Sequence, residues 1–69
     1  MISSYSSAKE GLKSLTQGTA EFANAVHKAN DEALSLLENY GDLIGQSGYT
    51  VDATTGLINI SEAALERVQ

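Results

Sequence analysis

From Tyr5 to Leu43 a single set of positions recurs at steps that alternate three and four without a slip. The set is Tyr5, Ala8, Leu12, Leu15, Thr19, Phe22, Val26, Ala29, Ala33, Leu36, Tyr40 and Leu43, and only Thr19 is not apolar. At 3.6 residues per turn these positions gather on one narrow stripe, the a/d seam of a heptad repeat with Tyr5 at a and Ala8 at d. The positions farthest from the seam, Glu10, Gln17, Asn24, Asp31 and Glu38, are all polar. A phase held this long constrains the chain to an amphipathic helix.

The capping-box order Ser7-Ala8-Lys9-Glu10 places the start of that helix at Ser7. Residues 1–6, rich in serine, then form a solvated lead-in. The helix is expected to run through Tyr40, with Gly41 as a candidate left-handed residue beyond its regular part and the whole element bounded at 7–44. Such a helix would be on the order of 50 Å long. Gly11 and Gly18 each cost about 1 kcal/mol relative to alanine inside a helix, and Gly18 is a possible break. Because the heptad phase is the same on both sides of Gly18, continuity is the expectation. Gly11, Gly18 and Ala25 share the g position and form a small-residue row suited to close approach of another helix. Toward the C-terminal end Leu37 and Ile44 widen the apolar face, and Leu34 lies away from the seam. Exposed i,i+4 pairs, Lys28 with Glu32 and His27 with Asp31, would add about 0.2–0.5 kcal/mol each.

The periodicity changes after residue 44. Gly45-Gln46-Ser47-Gly48 reads as a linker over 45–48. Tyr49-Thr50-Val51-Asp52 and Leu57-Ile58-Asn59-Ile60 read as strands about a short loop, Ala53-Thr54-Thr55-Gly56, whose glycine supplies a positive φ. Pairing Val51 with Ile58 and Tyr49 with Ile60 sets four apolar side chains on one face of a small β-hairpin, 49–60. Ser61 is an N-cap for a short helix over 61–69, with Glu62 in its first turn. The pattern is still running at Gln69, which suggests a piece of a longer protein. The fold class is therefore mainly α: one long amphipathic heptad-patterned helix, a small hairpin and a short C-terminal helix.

The residues do not specify a reaction. His27 is the sole histidine and, with Asp31, falls on the polar face, a poor basis for metal binding or proton transfer. There is no cysteine, and the serines lie in neither a Gly-x-Ser-x-Gly nor a Ser-x-x-Lys arrangement. Asp52 to Gly56 lacks the spacing of an EF-hand loop, so Asp52 is expected to accept turn amides instead. A net charge of −5 with scattered Lys9, Lys13, Lys28 and Arg67 argues against nucleic acid as a partner. No apolar run approaches a membrane span. No catalytic residue, cofactor or metal is expected.

The order of segments from Lys28 to Leu65 carries a resemblance. Ala29-Asn30-Asp31-Glu32-Ala33-Leu34-Ser35-Leu36-Leu37-Glu38 closes a long Ala/Ser/Thr-rich helix. Tyr49-Thr50-Val51-Asp52, Thr55-Gly56-Leu57-Ile58 and Ile60-Ser61-Glu62-Ala63-Ala64-Leu65 follow. This is similar to segments of phage and prophage tail tape-measure proteins, in which long helices are punctuated by short insertions of this kind. The resemblance covers about half of the chain and implies a helical, self-associating, non-enzymatic piece of a tail protein. It also implies other tail proteins as partners and a location in the virion tail, or in the bacterial cytoplasm before assembly. From the residues, the expected contact is the seam itself, Leu12, Leu15, Phe22, Val26, Leu36 and Tyr40, in a homo-oligomer. One hairpin and a short helix look too small to cover so wide a face. The alternative is a small interaction protein similar to the WXG type, binding a partner helix. Tyr40-Gly41 is a weak substitute for its Trp-x-Gly turn.

Overall fold

The computed structural model describes residues 2–69. The chain is mainly α, in the order helix α1 (Ile2–Gly11), helix α2 (Ala20–Ile44), strands β1 (Tyr49–Val51) and β2 (Ile58–Ile60), and helix α3 (Glu62–Val68). A 3-10 turn, Leu12–Ser14, follows α1, and another, Gln46–Gly48, precedes β1. The long amphipathic helix, the hairpin and the short last helix are all present.

The long helix starts later than the heptad implies. The first helix gives way to the 3-10 turn and to extended backbone at Leu15 (φ −107°, ψ 151°), and Gly18 at φ +88°, a left-handed conformation, completes the break. Thr19 is the N-cap of α2, its hydroxyl accepting from the Phe22 N–H at 3.2 Å. Ser7 caps nothing, since it lies inside α1. Ile2 to Ser6 are helical rather than a lead-in, and Met1 lies outside the described residues. The longest dimension of the molecule, 34 Å, is too short for a helix spanning 7–44. The break turns α1 back along α2: Ser3, Ser4, Ser7 and Ala8 face Lys28 and Glu32 across a shallow groove, and Ile2 lies near Tyr40.

This reversal supplies cover that the sequence reading lacked. Tyr5, Ala33, Leu36, Ile44, Ile60, Ala64 and Leu65 form one core drawn from α1, α2, the hairpin and α3. Full burial of a leucine or isoleucine is worth about 1.5–3 kcal/mol, so Leu36, Ile44 and Ile60 are principal contributors. The buried stripe of α2 follows Val26, Ala29, Ala33 and Leu36, then shifts from the heptad position Leu43, 49% exposed, to Ile44, fully buried. A lone helix keeps a 3.6-residue period and drifts off a seven-residue repeat. Non-helical backbone at Tyr40 (φ −130°, ψ 24°) adds to the shift. The helix ends at Ile44, the expected bound, and the left-handed glycine beyond it is Gly45 (φ 70°) rather than Gly41.

The hairpin has the expected antiparallel register, Tyr49 opposite Ile60 and Val51 opposite Ile58. Its loop is organised by Asp52, whose Oδ1 accepts from the N–H groups of Thr54 (2.7 Å) and Thr55 (3.1 Å). Ser61 caps α3, accepting from the Ala64 N–H at 3.2 Å. At the other end of the sequence, α1 and the break set up a paired test. Gly18→Ala should destabilise the fold by about 1–2 kcal/mol, because a Cβ is strained at positive φ. Gly11→Ala, at helical φ −60° with open space around it, should stabilise by about 0.5–1 kcal/mol. Urea unfolding of the two variants beside the parent chain should give midpoint shifts of opposite sign.

Candidate functional site

Two polar side chains with distant partners, Tyr5 and Asn30, converge on the outer edge of β2. In an antiparallel pair, alternate residues point their peptide groups at the partner strand and away from it. Ladder bonds Asp52 N–H to Leu57 C=O (2.9 Å) and Ser61 N–H to Gly48 C=O (2.9 Å) place the peptide groups of Ile58 and Ile60 on the outward side. The Tyr5 hydroxyl meets both. It donates to the Ile58 carbonyl at 2.9 Å and accepts from the Ile60 N–H at 2.9 Å. The Asn30 amide does the same one step along: its Oδ1 accepts from the Ile58 N–H at 2.8 Å and its Nδ2 donates to the Gly56 carbonyl at 2.9 Å. Two side chains thus stand where a third strand would otherwise lie.

Tyr5 is fully buried, its ring in the core and its hydroxyl on the strand edge. Burial raises its phenol pKa above the ordinary 10.0, against a smaller lowering from the Ile60 hydrogen bond. Lys9 sits 5.7 Å from the centre of the same ring and donates to the Asn59 side chain. At the far end, the Arg67 guanidinium donates to the carbonyls of Leu43 (2.9 Å) and Ile44 (3.1 Å), satisfying the end of α2 from α3.

The expected seam residues divide into two groups. Leu12, Val26 and Leu36 are buried within the chain, whereas Leu15, Phe22 and Tyr40 are half-buried. Of the small-residue row, neither Gly11 nor Gly18 has another part of the chain within 4 Å of where a Cβ would stand, and Ala25 is half-buried. Within this chain, Gly18 serves the backbone turn. Close approach occurs instead at Gly48, where a Cβ would meet Ile44 Cγ2 at 3.0 Å and Ala64 Cβ at 3.1 Å. The sequence reading passed over Gly48, Asn30 and Arg67. Asn30, a polar residue at an e position beside an apolar stripe, was the one available signal.

His27 is exposed on an open groove between α2 and the hairpin loop, with Phe22, Val26, Asn30, Thr55 and Gly56. Among the described residues no three His, Cys, Asp or Glu side chains cluster, and no helix is long and apolar enough to cross a membrane. Among the described residues the one ion pair is Lys13 with Glu10 at 3.3 Å, exposed and worth little. Neither the Lys28–Glu32 nor the His27–Asp31 pair forms. The chain matches no family model, and comparison with curated proteins and with solved structures gives no significant match.

Tyr5→Phe keeps the ring but leaves the buried Ile60 N–H without an acceptor, which should cost about 1–3 kcal/mol. That corresponds to a fall in Tm of about 4–8 °C per kcal/mol for a chain of this size. The raised phenol pKa adds a pH signature. The unfolded chain loses its proton first, so the Tyr5 contribution is complete below pH 10.0 and is lost as pH rises through the higher folded value. Melting curves across that range should fall more steeply for the parent chain than for Tyr5→Phe.

Proposed function

We propose that this chain is a non-enzymatic structural module whose work is assembly, self-associating as part of a phage tail tape-measure-type protein. One observation carries the assembly reading. The polar side chains with long-range bonds, Tyr5, Lys9, Asn30 and Arg67, all tie one element of the chain to another. Meanwhile large apolar side chains stand outside the core, with Leu34 53%, Leu43 49% and Val51 59% exposed. On a surface otherwise made mostly of polar and charged residues, these three are the large apolar side chains that a protein partner would bury. Of the seam, Leu15, Phe22 and Tyr40 remain within reach of a partner.

The tail reading draws on the resemblance, and the loop gives its motif residues a physical account. Asp52 holds the turn amides, and the Thr55 hydroxyl accepts from the Leu57 N–H at 3.2 Å. Ile58 and Ile60 pack toward the core. The insertion ends α2 and brings α3 back onto the same core.

Solution mass by light scattering over a range of concentrations, with far-UV circular dichroism on the same samples, tests the assembly reading. A dimer or higher oligomer forming as concentration rises is the expected result. A helical monomer throughout would overturn self-association and turn attention to a partner helix of another protein.

A further inference from the structure

The segment between α1 and α2 keeps a phase that a simple reversal does not need. Seam positions step by three and four through it without a slip, Leu12 and Leu15 before the turn, Thr19 and Phe22 after it. A loop that only sent the chain back could gain or lose a residue freely. The segment is also lightly held. Thr16, Gln17 and Gly18 are exposed, and a Cβ on Gly18 would meet nothing within 4 Å. Its turn is closed by Thr19 on the Thr16 carbonyl, through the N–H at 3.4 Å and the hydroxyl at 2.7 Å. Both groups have partners in a continuous helix too: the N–H bonds four residues back, and a threonine hydroxyl bonds three or four back.

We infer that Leu15 to Gly18 is a hinge at which two copies of this chain open, run α1 into α2 as one helix, and each seat their α1 on α2 of the other. This rests on the assembly reading and says how the second copy is held. The occupant follows from the closed chain, because α1 of a second copy carries the same side chains as the α1 already seated there. Tyr5 of one copy closes the β2 edge of the other, and Lys9 meets the other's Asn59, as each does within one chain. Every bond of α1 outside the hinge is restored, which is why exchange of an identical element reaches a dimer with few new contacts.

The new contacts lie at the opened hinge. In the closed chain α1 runs antiparallel to α2, with Ile2 near Tyr40 and with Ser7 and Ala8 across a groove from Lys28. The exchanged pair therefore has its two-fold axis beside the straightened hinge, where Leu15, Thr19 and Phe22 of both copies meet. Leu15 and Phe22, half-buried in the closed chain, become seam residues covered by a second helix. Flanking the seam there are Gly11, Gly18 and Ala25 on one side and Thr16 and Ala23 on the other. None is charged, so the net −5 does not oppose this contact. The two glycines, which nothing in the closed chain approaches, let the helices come close. Glycine also disfavours the straight helix, which keeps the closed chain the dilute form and makes exchange depend on concentration.

Two measurements on the full chain test the exchange. The chain has no cysteine, so Ser7→Cys and Lys28→Cys, both at exposed positions facing one groove, are made in separate chains. The two are unfolded together, refolded as a concentrated mixture and treated with a short bis-maleimide. A linked pair containing one of each, with neither variant linking to itself, is the expected result. In the second measurement Gly18→Ala, which disfavours φ +88° and favours helix, is compared with the parent by sedimentation. It should associate about tenfold more tightly or better, the scale of one such backbone preference in each copy. Its helicity should rise with concentration, although the same substitution weakens the closed chain at high dilution. The linking experiment retains Gly18 and reads out even where Gly18→Ala does not fold. Association without the mixed link, and no tighter in Gly18→Ala, would overturn exchange and leave the assembly reading standing. Monomers at every concentration in both chains would overturn both.

Discussion

One phenolic oxygen, that of Tyr5, holds the two halves of this molecule together. It satisfies a donor and an acceptor on β2 while its ring fills the centre of the core. A two-stranded hairpin is marginal in isolation, and the outer peptide groups of β2 would be costly to bury without partners. Tyr5 and Asn30 supply those partners from two different helices. The hairpin can then lie against both helices, and its isoleucines become core residues. Removing the hydroxyl would cost more than one hydrogen bond, because the packing of Ile60 depends on its N–H being satisfied.

Tyr5 can reach β2 only because the chain reverses before α2. Gly18 takes the left-handed conformation and Thr19 caps the new helix, so α1 folds back on the face its own heptad extends. The seam is thereby divided, with most of the second half enclosed by α1, the hairpin and α3, and Leu15 and Phe22 left half-buried near the break. Arg67 and Gly48 secure the opposite end. The guanidinium closes the last carbonyls of α2, and the missing side chain at Gly48 lets Ile44 and Ala64 approach.

This economy bears on the assembly reading. A chain of 69 residues has a small core and depends on every available element. Here the polar residues with long reach act as fasteners between elements. What faces outward is mostly polar and charged, with Leu34, Leu43 and Val51 standing singly among it.

The sequence by itself determined the local events. Alternation set the hairpin and its register, Asp52 and Ser61 announced their caps, and the apolar stripe marked the core face of α2, because each depends on residues close in the chain. The candidate contact residues were legible as apolar but not as inward or outward. Leu36 and Phe22 occupy equivalent seam positions, yet one is buried and the other half-buried. The tertiary structure alone decided that the heptad breaks at Gly18, that Ser3 to Ser6 belong to a helix, that burial moves from Leu43 to Ile44, and that Tyr5 and Asn30 close a strand edge. A heptad phase reports which side of a helix is apolar, whatever covers it. Whether the cover is a second chain or the chain's own first helix turns on the backbone between Leu15 and Gly18 and on a hydroxyl meeting peptide groups more than fifty residues away.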